Sequence, residues 1–415
     1  MDYDIIITGG GPAGLSLAAE LSKEFRILII DKKKIPSTTC SWYSYYDRIK
    51  KYGLEKAILN RCDGILYESR NYSSLMKDDC VVLDEKMVLK IWYDKAKNNG
   101  LVTKEALFID ARKTKNEVIV ETHEKNYSAR LLIDCTGIKS PILRRHKLVK
   151  KINTWLIYGH HISNIRLKDT KKISFLPVHD KFNTYIGLYP ITKNTAKFYI
   201  FRNLESELGH FEDLEKVFDV ILYRHFPKAK KNEVISGRII SGEIKRYALD
   251  NIVFFGESSM LNPPACGMGF NEILIKHREF ADGIKNLMQK NALKAGDLTR
   301  VSLSVRDQKI INFQLIIAKF TYYFINSPAG WDGGVQWLNS LGDMSKYWMR
   351  NELSLEWIKN ATFRLYKTIP LVEVVKVMPP KDYLFVTNQF RKFVHNSIKS
   401  EAENLLKKKE KNELE

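Results

Sequence analysis

The chain has 415 residues, enough for two or three packed units with a sizeable core. Its 44% hydrophobic and 28% charged residues exclude a disordered or membrane-spanning chain, and its net charge of +19 either biases it toward anionic partners or is a Lys-rich composition spread over solvated faces. Five cysteines without CxxC spacing (Cys40, Cys62, Cys80, Cys135 and Cys266) argue against a disulfide framework and a zinc site, and predict a reduced, cytoplasmic compartment.

The first apolar run follows the initial Met with no basic segment or cleavage site ahead of it, so no secretory signal is expected. Residues 4–8 read as a buried strand, 9–14 as a Gly-rich turn, 12–22 as a helix and 26–31 as a second buried strand, which together make a βαβ unit. A polar, aromatic-rich stretch over 37–46 precedes a helical pattern at 86–99 and strands near 101–109, 118–121 and 131–134. From 155 to 202, short β-rich runs alternate with Lys, Asp and Asn turns, the pattern of an antiparallel sheet. A helix at 211–226 closes that unit, and 251–256 is again an apolar strand of the first type. The fold class is α/β, divided into a dinucleotide-binding domain over 1–150, an antiparallel-sheet substrate domain over 151–235, a second part of the first domain over 236–290, and a helical region over 291–415. That last region sets Trp331, Trp337, Trp348 and Trp357 in amphipathic patterns. Its most apolar stretch, 311–325, is interrupted by Gln314 and Lys319 and is too short to span a bilayer. The charged tail over 407–415 is expected to be solvated.

Gly9, Gly11 and Gly14 form GxGxxG, with Pro12 and Ala13 between the last two, directly after a strand and at the opening of a helix. There the backbone N–H groups and the helix dipole suit a pyrophosphate: Gly9 permits the turn, Gly11 the approach of the phosphates and Gly14 close packing of helix on strand. Asp31, followed by Lys32, ends the next strand, where a carboxylate accepts hydrogen bonds from a ribose. The motif fits FAD and NAD alike. Two later segments narrow it: LLIDCTGIKSPILRRH puts Asp134 and Gly137 at a strand end, and NIVFFGESSMLNPPACGMGFNEIL does the same for Gly256 and Glu257 before Pro263, Gly267, Met268, Gly269 and Phe270 open another helix.

On these residues the chain, over 1–290, resembles the FAD-dependent geranylgeranyl reductase and lycopene cyclase family, within the flavoprotein class that includes aromatic hydroxylases and halogenases. The resemblance implies a Rossmann-like FAD-binding domain of parallel sheet and helices, an antiparallel-sheet substrate domain and a helical C-terminal region. It implies FAD as cofactor, with the ADP half on the first glycine motif, residues 134–144 beside it, Gly256 and Glu257 at the ribityl chain, and Gly267 and Gly269 under the electron-rich edge of the ring. NTYIGLYPI is similar to the Y-x-W-x-F-P strand of the reductases, with Gly187 in place of Trp and Tyr189 in place of Phe, and TTCSWYSYYDRIKKYGLEKAI is similar to the cyclases. Cys40 stands where archaeal reductases carry a cysteine near the flavin, and is either a redox or substrate-gating residue or a buried, unreactive cysteine; the resemblance implies Cys40, Tyr185 and Tyr189 as catalytic residues. The chain departs from the pattern at Glu257, where most of the class has Asp. It also lacks an evident cyclase acid pair, Glu205 and Glu207 being only nearby, and it lacks the W-x-W-x-I-P of halogenases.

The implied function is that of an oxidoreductase acting on a polyprenyl or carotenoid-like lipid, by C=C reduction or flavin-assisted cyclisation. A flavin monooxygenase acting on an apolar substrate is one alternative, and a non-catalytic prenyl-lipid-binding protein another. The implied electron donor is NAD(P)H or ferredoxin. Arg144, Arg145 and Lys147 are expected near the cavity mouth, to attract a phosphate head group or an anionic membrane in peripheral contact, and no nucleic-acid signature is present. Trp42, Tyr43, Tyr45 and Tyr46 either line a channel for a long apolar molecule or are core aromatics. Cys266, before a helix start, is either a stabilised thiolate or a small residue chosen for fit. His160, His161 and His179 have no carboxylate at metal spacing, so no metal is expected.

Overall fold

β1 (Tyr3–Thr8), α1 (Pro12–Leu21) and β2 (Ile27–Asp31) form the expected βαβ unit. β1 has a parallel partner on each side and is covered on both faces, which is why Ile5, Ile6 and Ile7 run without alternation and are all fully buried. The computed structural model describes residues 1–115, 117–178, 184–204, 211–305, 308–324, 328–368, 378 and 380–395. His179, Glu205, Glu207 and the 407–415 tail lie outside the described residues.

After β2 come β3 (Tyr43–Tyr45), α2 (Tyr46–Lys51), β4 (Ile58–Glu68) and β5 (Ser73–Leu83). Next is α3 (Glu85–Lys97), capped by Asp84, whose side chain accepts from the Met87 N–H at 3.0 Å. β6 (Val102–Glu105), β7 (Phe108–Lys113), β8 (Val118–Thr122), β9 (Asn126–Asp134) and α4 (Pro141–Arg145) lead to β10 (Val149–Ser163). β11 (Lys172–Pro177), β12 (Thr184–Pro190), β13 (Thr195–Leu204), α5 (Phe211–His225) and β14 (Lys230–Ile244) follow. β15 (Ala248–Leu249) and β16 (Ile252–Phe254) precede α6 (Gly269–Gln289), α7 (Ala295–Ser304), α8 (Gln308–Phe324), α9 (Pro328–Leu341), α10 (Ser345–Arg350) and α11 (Leu355–Thr368). Residues 380–395 are also helical.

One sheet runs β15-β16-β9-β1-β2-β6, parallel from β16 to β6, with β7 and β8 as an antiparallel extension of β9. The other runs β14-β10-β13-β12-β11-β4-β5-β3 and is antiparallel except where β11 lies beside β4. The chain crosses between the sheets more often than the sequence indicates. β3, β4 and β5 fall within 1–150 yet hydrogen-bond in the second sheet, and β14 crosses residue 236 and stays in that sheet to Ile244. The register of β4 on β5 slips between Ile58 and Asn60 and again between Cys62 and Gly64, so the two-residue alternation that announces a strand is broken there.

Alternation along the second sheet separates two cores. Phe198 and Ile200 pack with Leu214, Phe218 and Leu222 of α5. Tyr199 and Phe201, one residue out of phase, face the opposite side, where α8 to α11 close over a cavity. Arg350 of α10 docks those helices, donating to Asp78 of β5 at 2.6 Å and Asp47 of α2 at 3.0 Å with its guanidinium 4.3 Å from the centre of the Tyr45 ring. Among the described residues no helix is long and apolar enough to cross a membrane.

A buried ion pair ties the second sheet to the start of α3. Lys197 of β13 lies with Nζ 2.6 Å from Glu85 Oε1 at the start of α3 and also donates to the Leu83 carbonyl, and the same Glu85 oxygen accepts from the Trp42 N–H. Burial pushes the Glu85 carboxyl up and the Lys197 ammonium down from their ordinary values, and in each case the partner's charge opposes the shift. Lys197→Met strands a buried carboxylate and is expected to cost about 3–5 kcal/mol in urea unfolding. Adding Glu85→Gln is expected to recover part of that loss.

Candidate active site

The starts of α1 and α6 open onto one groove of about 260 Å³, lined by Gly11, Pro12 and Ala13 from the first helix and Gly267, Gly269 and Phe270 from the second. Neither helix start has a side-chain cap, so first-turn N–H groups and the positive ends of two dipoles are presented to the same space. Gly9, at φ +101°, lies so close to the Cys135 carbonyl that a Cβ would stand 2.5 Å from its oxygen. Gly11 faces open space, with nothing within 4 Å of where a Cβ would be. Gly14 packs α1 against the Gly9 carbonyl. The glycine turn is thus tight on its inner side and clear on its outer side, the shape that admits a phosphate.

The acidic residues divide into supports and one wall group. Asp31 Oδ2 accepts from the Gly10 N–H at 2.7 Å and Oδ1 from Lys33 N–H at 2.9 Å, so it shapes the glycine turn rather than lining the groove, and Lys32 is exposed outside it. Asp134 is fully buried beneath the groove, where it accepts from Thr136 N–H at 2.9 Å, Thr136 Oγ1 at 2.6 Å and the Ser140 hydroxyl. It holds the turn that presents Cys135, Thr136 and Gly137 to the groove, because strand alternation at the end of β9 turns its side chain inward. Glu257 does line the groove, above Gly137, with Oε1 accepting from the Ile240 N–H at 3.4 Å. Burial pushes its carboxyl up to about 7, against the lowering effect of that hydrogen bond. Gly256 also lines the groove; Pro263 does not, and its carbonyl instead accepts from Gly267 N–H at 3.1 Å. Two wall atoms, Ser41 Oγ and Asn262 Oδ1, are buried without a hydrogen-bond partner, as expected of a surface shaped for a polar ligand.

A second cavity of about 230 Å³ adjoins the groove and is walled largely by aromatic rings. Trp42 and Phe270 line both spaces, stacked at 4.5 Å with 4° between their planes, and form the partition between them. Tyr185 stacks on Phe201 at 4.8 Å and meets Trp331 at 4.7 Å; Tyr189 is edge-on to Tyr43 at 5.4 Å and to Tyr199 at 5.1 Å, and is hydrogen-bonded to Tyr199. Burial raises the hydroxyls of Tyr43, Tyr185, Tyr189 and Tyr199 above the ordinary phenol value, so all four stay neutral. Met268 and Cys266 face this cavity rather than the groove, and Trp337 and Trp348 help roof it. No carboxylate lines it among the described residues. At Gly187, a Cβ would stand 2.6 Å from the Tyr199 ring: the neighbouring strand fills the space that a larger residue on β12 would take.

Other expected residues lie elsewhere. Tyr45 is sealed beneath the cavity with Arg48 and Arg350 over its ring, and Tyr46 carries Arg61 on its face at 3.9 Å. Arg144, Arg145 and Lys147 are exposed and line neither cavity, and Arg145 pairs with Asp110. Cys40 lines the groove and keeps exposed surface, yet the protein atoms crowding its sulfur push the thiol up to about 11. Cys266 is pushed up to about 12 by burial, so no thiolate forms at the α6 start. His160 Nδ1 lies 3.1 Å from the Asn232 carbonyl, and burial lowers His161. The described residues hold no metal-ligand cluster. Sequence reasoning missed the Glu85–Lys197 pair and Asn262, which carry no local motif; Ser41, inside the aromatic stretch, was adjacent to residues that were singled out.

The model of the NAD(P)-binding Rossmann-like domain family matches residues 7–60. An uncharacterized protein of Methanocaldococcus jannaschii is 24% identical over 287 residues, covering 65% of this chain and 71% of the relative. A geranylgeranyl bacteriochlorophyll reductase-like protein from Thermoplasma acidophilum has a similar structure, with a TM-score of 0.69 at 17% identity over 90% of this chain and 98% of that one. Halogenase PltM, in complex with phloroglucinol and FAD, gives 0.62 at 14% identity over 95% and 96%. At these identities the likeness is one of fold. The chain has the fold of the FAD-dependent flavoprotein class, an α/β architecture of Rossmann-like sheet, second sheet and C-terminal helices.

Two outcomes follow from the site geometry. Because the Glu257 carboxyl is raised from 4.5 to about 7, its contribution to stability is fully present below pH 4.5 and is lost as pH rises through about 7. Glu257→Gln is therefore expected to flatten that fall in unfolding free energy. Gly187→Trp must displace the Tyr199 ring and is expected to lower stability by about 1–3 kcal/mol, read from the urea midpoint.

Proposed function

We propose that the chain is an FAD-dependent oxidoreductase acting on an elongated apolar molecule, with reduction of an isoprenoid C=C bond as the reading its site supports best. The observation that carries it is the meeting of two unlike cavities. A groove fed by two helix N-termini and a glycine turn touches a water-excluding aromatic chamber across the Trp42–Phe270 stack.

In this reading the FAD diphosphate lies at Gly11, Pro12 and Ala13, where the start of α1 offers N–H groups and positive potential. Asp31, with lone pairs remaining beyond its two turn contacts, accepts from the ribose, and Glu257 accepts from a ribityl hydroxyl. Gly267 and Gly269 bring the start of α6 to the part of the ring that becomes electron-rich, and Ser41 and Asn262 supply polar contacts. The cofactor, when bound, supplies the two-electron chemistry. The chain's own work is to exclude water, to align the substrate along Tyr185, Tyr189 and the roof tryptophans, and to hold a proton on a neutral group. The Tyr189 hydroxyl, braced by Tyr199, and the Cys40 thiol on the groove side are the candidates for that proton. The absence of a carboxylate from the described chamber wall favours reduction over acid-driven cyclisation. NAD(P)H or a ferredoxin provides the electrons, and peripheral contact with an anionic membrane suits an apolar substrate.

The test begins with the visible spectrum of the purified protein, before and after anaerobic dithionite, and chromatography of the released cofactor. A flavin spectrum that bleaches, and a released species that is FAD, are expected. A colourless protein that does not take up added FAD rejects the reading in favour of a non-catalytic lipid-binding one. Anaerobic incubation of the reduced protein with a polyprenyl lipid is expected to add H2 per double bond by mass. Product formed only with oxygen uptake assigns a monooxygenase instead.

A further inference from the structure

The outer side of the 380–395 helix is built against the usual rule for a surface helix. Asp382 and Gln389 are buried, and Val386 and Phe393 pack on the cluster that contains the chamber-roofing Trp337 and Trp348, so this helix backs the roof of the aromatic chamber. Along the flank of that buried face, helical spacing brings Tyr383, 50% exposed, Phe390, 57%, and Val394, 39%, onto one stripe, and Leu384, 71% exposed, stands about a quarter-turn further out, on the face that also carries Thr387, Asn388 and Arg391.

The charges around this stripe have one sign. Arg391 is exposed between the stripe and Leu384, and Lys381 is exposed further round the helix. The helix's acidic residue, Asp382, turns inward to Lys319 at 3.0 Å, and Lys392 pairs with Glu243 at 3.2 Å. α11, which packs into the same cluster through Ala361 and Leu365, repeats the pattern: Phe363 is 60% exposed, with Lys367 4.5 Å over its ring and Lys359 and Arg364 exposed nearby. Glu356 is the exposed acid on that helix.

From these faces we infer that the 380–395 helix is the surface by which the protein docks on an anionic lipid bilayer. The stripe and Leu384 enter the head-group boundary, and Arg391 between them meets lipid phosphates. Grouped exposed apolar side chains mark a contact surface, and basic residues with no exposed acid among them on this helix suit an anionic one. The position of the helix behind the chamber roof gives a poorly soluble ligand a short route from the bilayer. The inference rests on the membrane contact proposed above and assigns the surface that makes it.

The experiment is co-sedimentation of the full chain with vesicles of phosphatidylcholine alone and of phosphatidylcholine with phosphatidylglycerol. Wild type is expected to sediment with the anionic vesicles, less so at high salt, and weakly with the neutral ones. L384E with F390E is expected to reduce that partitioning at least about tenfold while leaving the urea midpoint close to wild type, since both positions are exposed. V394K, at a separate turn of the same face, is the second variant and is expected to weaken binding in the same direction. Wild-type binding that both variants leave intact overturns the assigned surface but not the membrane contact; failure of wild type to bind anionic vesicles overturns both. A dimer in sedimentation velocity that the variants dissociate, without vesicle binding, assigns the face to a second copy of the chain instead. Flavin content is read on the same samples and does not enter the binding result.

Discussion

Glu85 and Lys197 are buried charges that meet where the end of β5, the start of α3 and β13 come together. Taking both out of water is costly, and the cost is offset only when the ammonium and the carboxylate meet in one geometry. That geometry fixes β13 of the second sheet against the start of α3, which packs beside α1 over the first. Because the same carboxylate oxygen also takes the Trp42 N–H, the pair sets where the Trp42 ring stands, and through its stack on Phe270 it reaches the start of α6. The partition between groove and chamber is therefore placed by an interaction that lines neither.

The two spaces call for opposite physics. A groove that holds an anionic cofactor needs donors and positive potential without side-chain bulk, and the chain supplies these as backbone at helix starts and glycines. A chamber for an apolar molecule needs walls that hydrogen-bond little and exclude water, and here these come from both the second sheet and the C-terminal helices. Thiols and phenols along these walls are kept neutral by burial, so these groups hold protons rather than carry charge.

Where the chain departs from the related pattern, the structure supplies compensation. Gly187 stands where the reductase strand has a tryptophan, and the ring that fills the space belongs to Tyr199 on the adjacent strand. Glu257 is longer than the usual aspartate and is accommodated over Gly137, where any side chain would press on its carboxylate. Arg350, with two aspartates and the Tyr45 ring, does for the C-terminal helices what Lys197 does for α3, fastening a roof made of distant sequence onto elements laid down early in the chain.

Features whose cause is local are legible in the order of the residues alone. The glycines of the first turn, the buried run at Ile5 to Ile7, the helix after Pro12 and the glycine-rich start of α6 each follow from backbone sterics or from a period that neighbouring residues carry. The aromatic character of the second cavity was also legible, as tyrosines at Tyr185 and Tyr189 and as amphipathic tryptophans. The tertiary structure decided which residues meet. It gave β4 and β5 to the second sheet, because bulges hid their alternation; it made Asp134 a support, because its oxygens are taken by nearby N–H and hydroxyl groups; and it drew Lys197 to Glu85 across 112 residues. Such pairings depend on burial and distance, and neither is a property of residues read one after another.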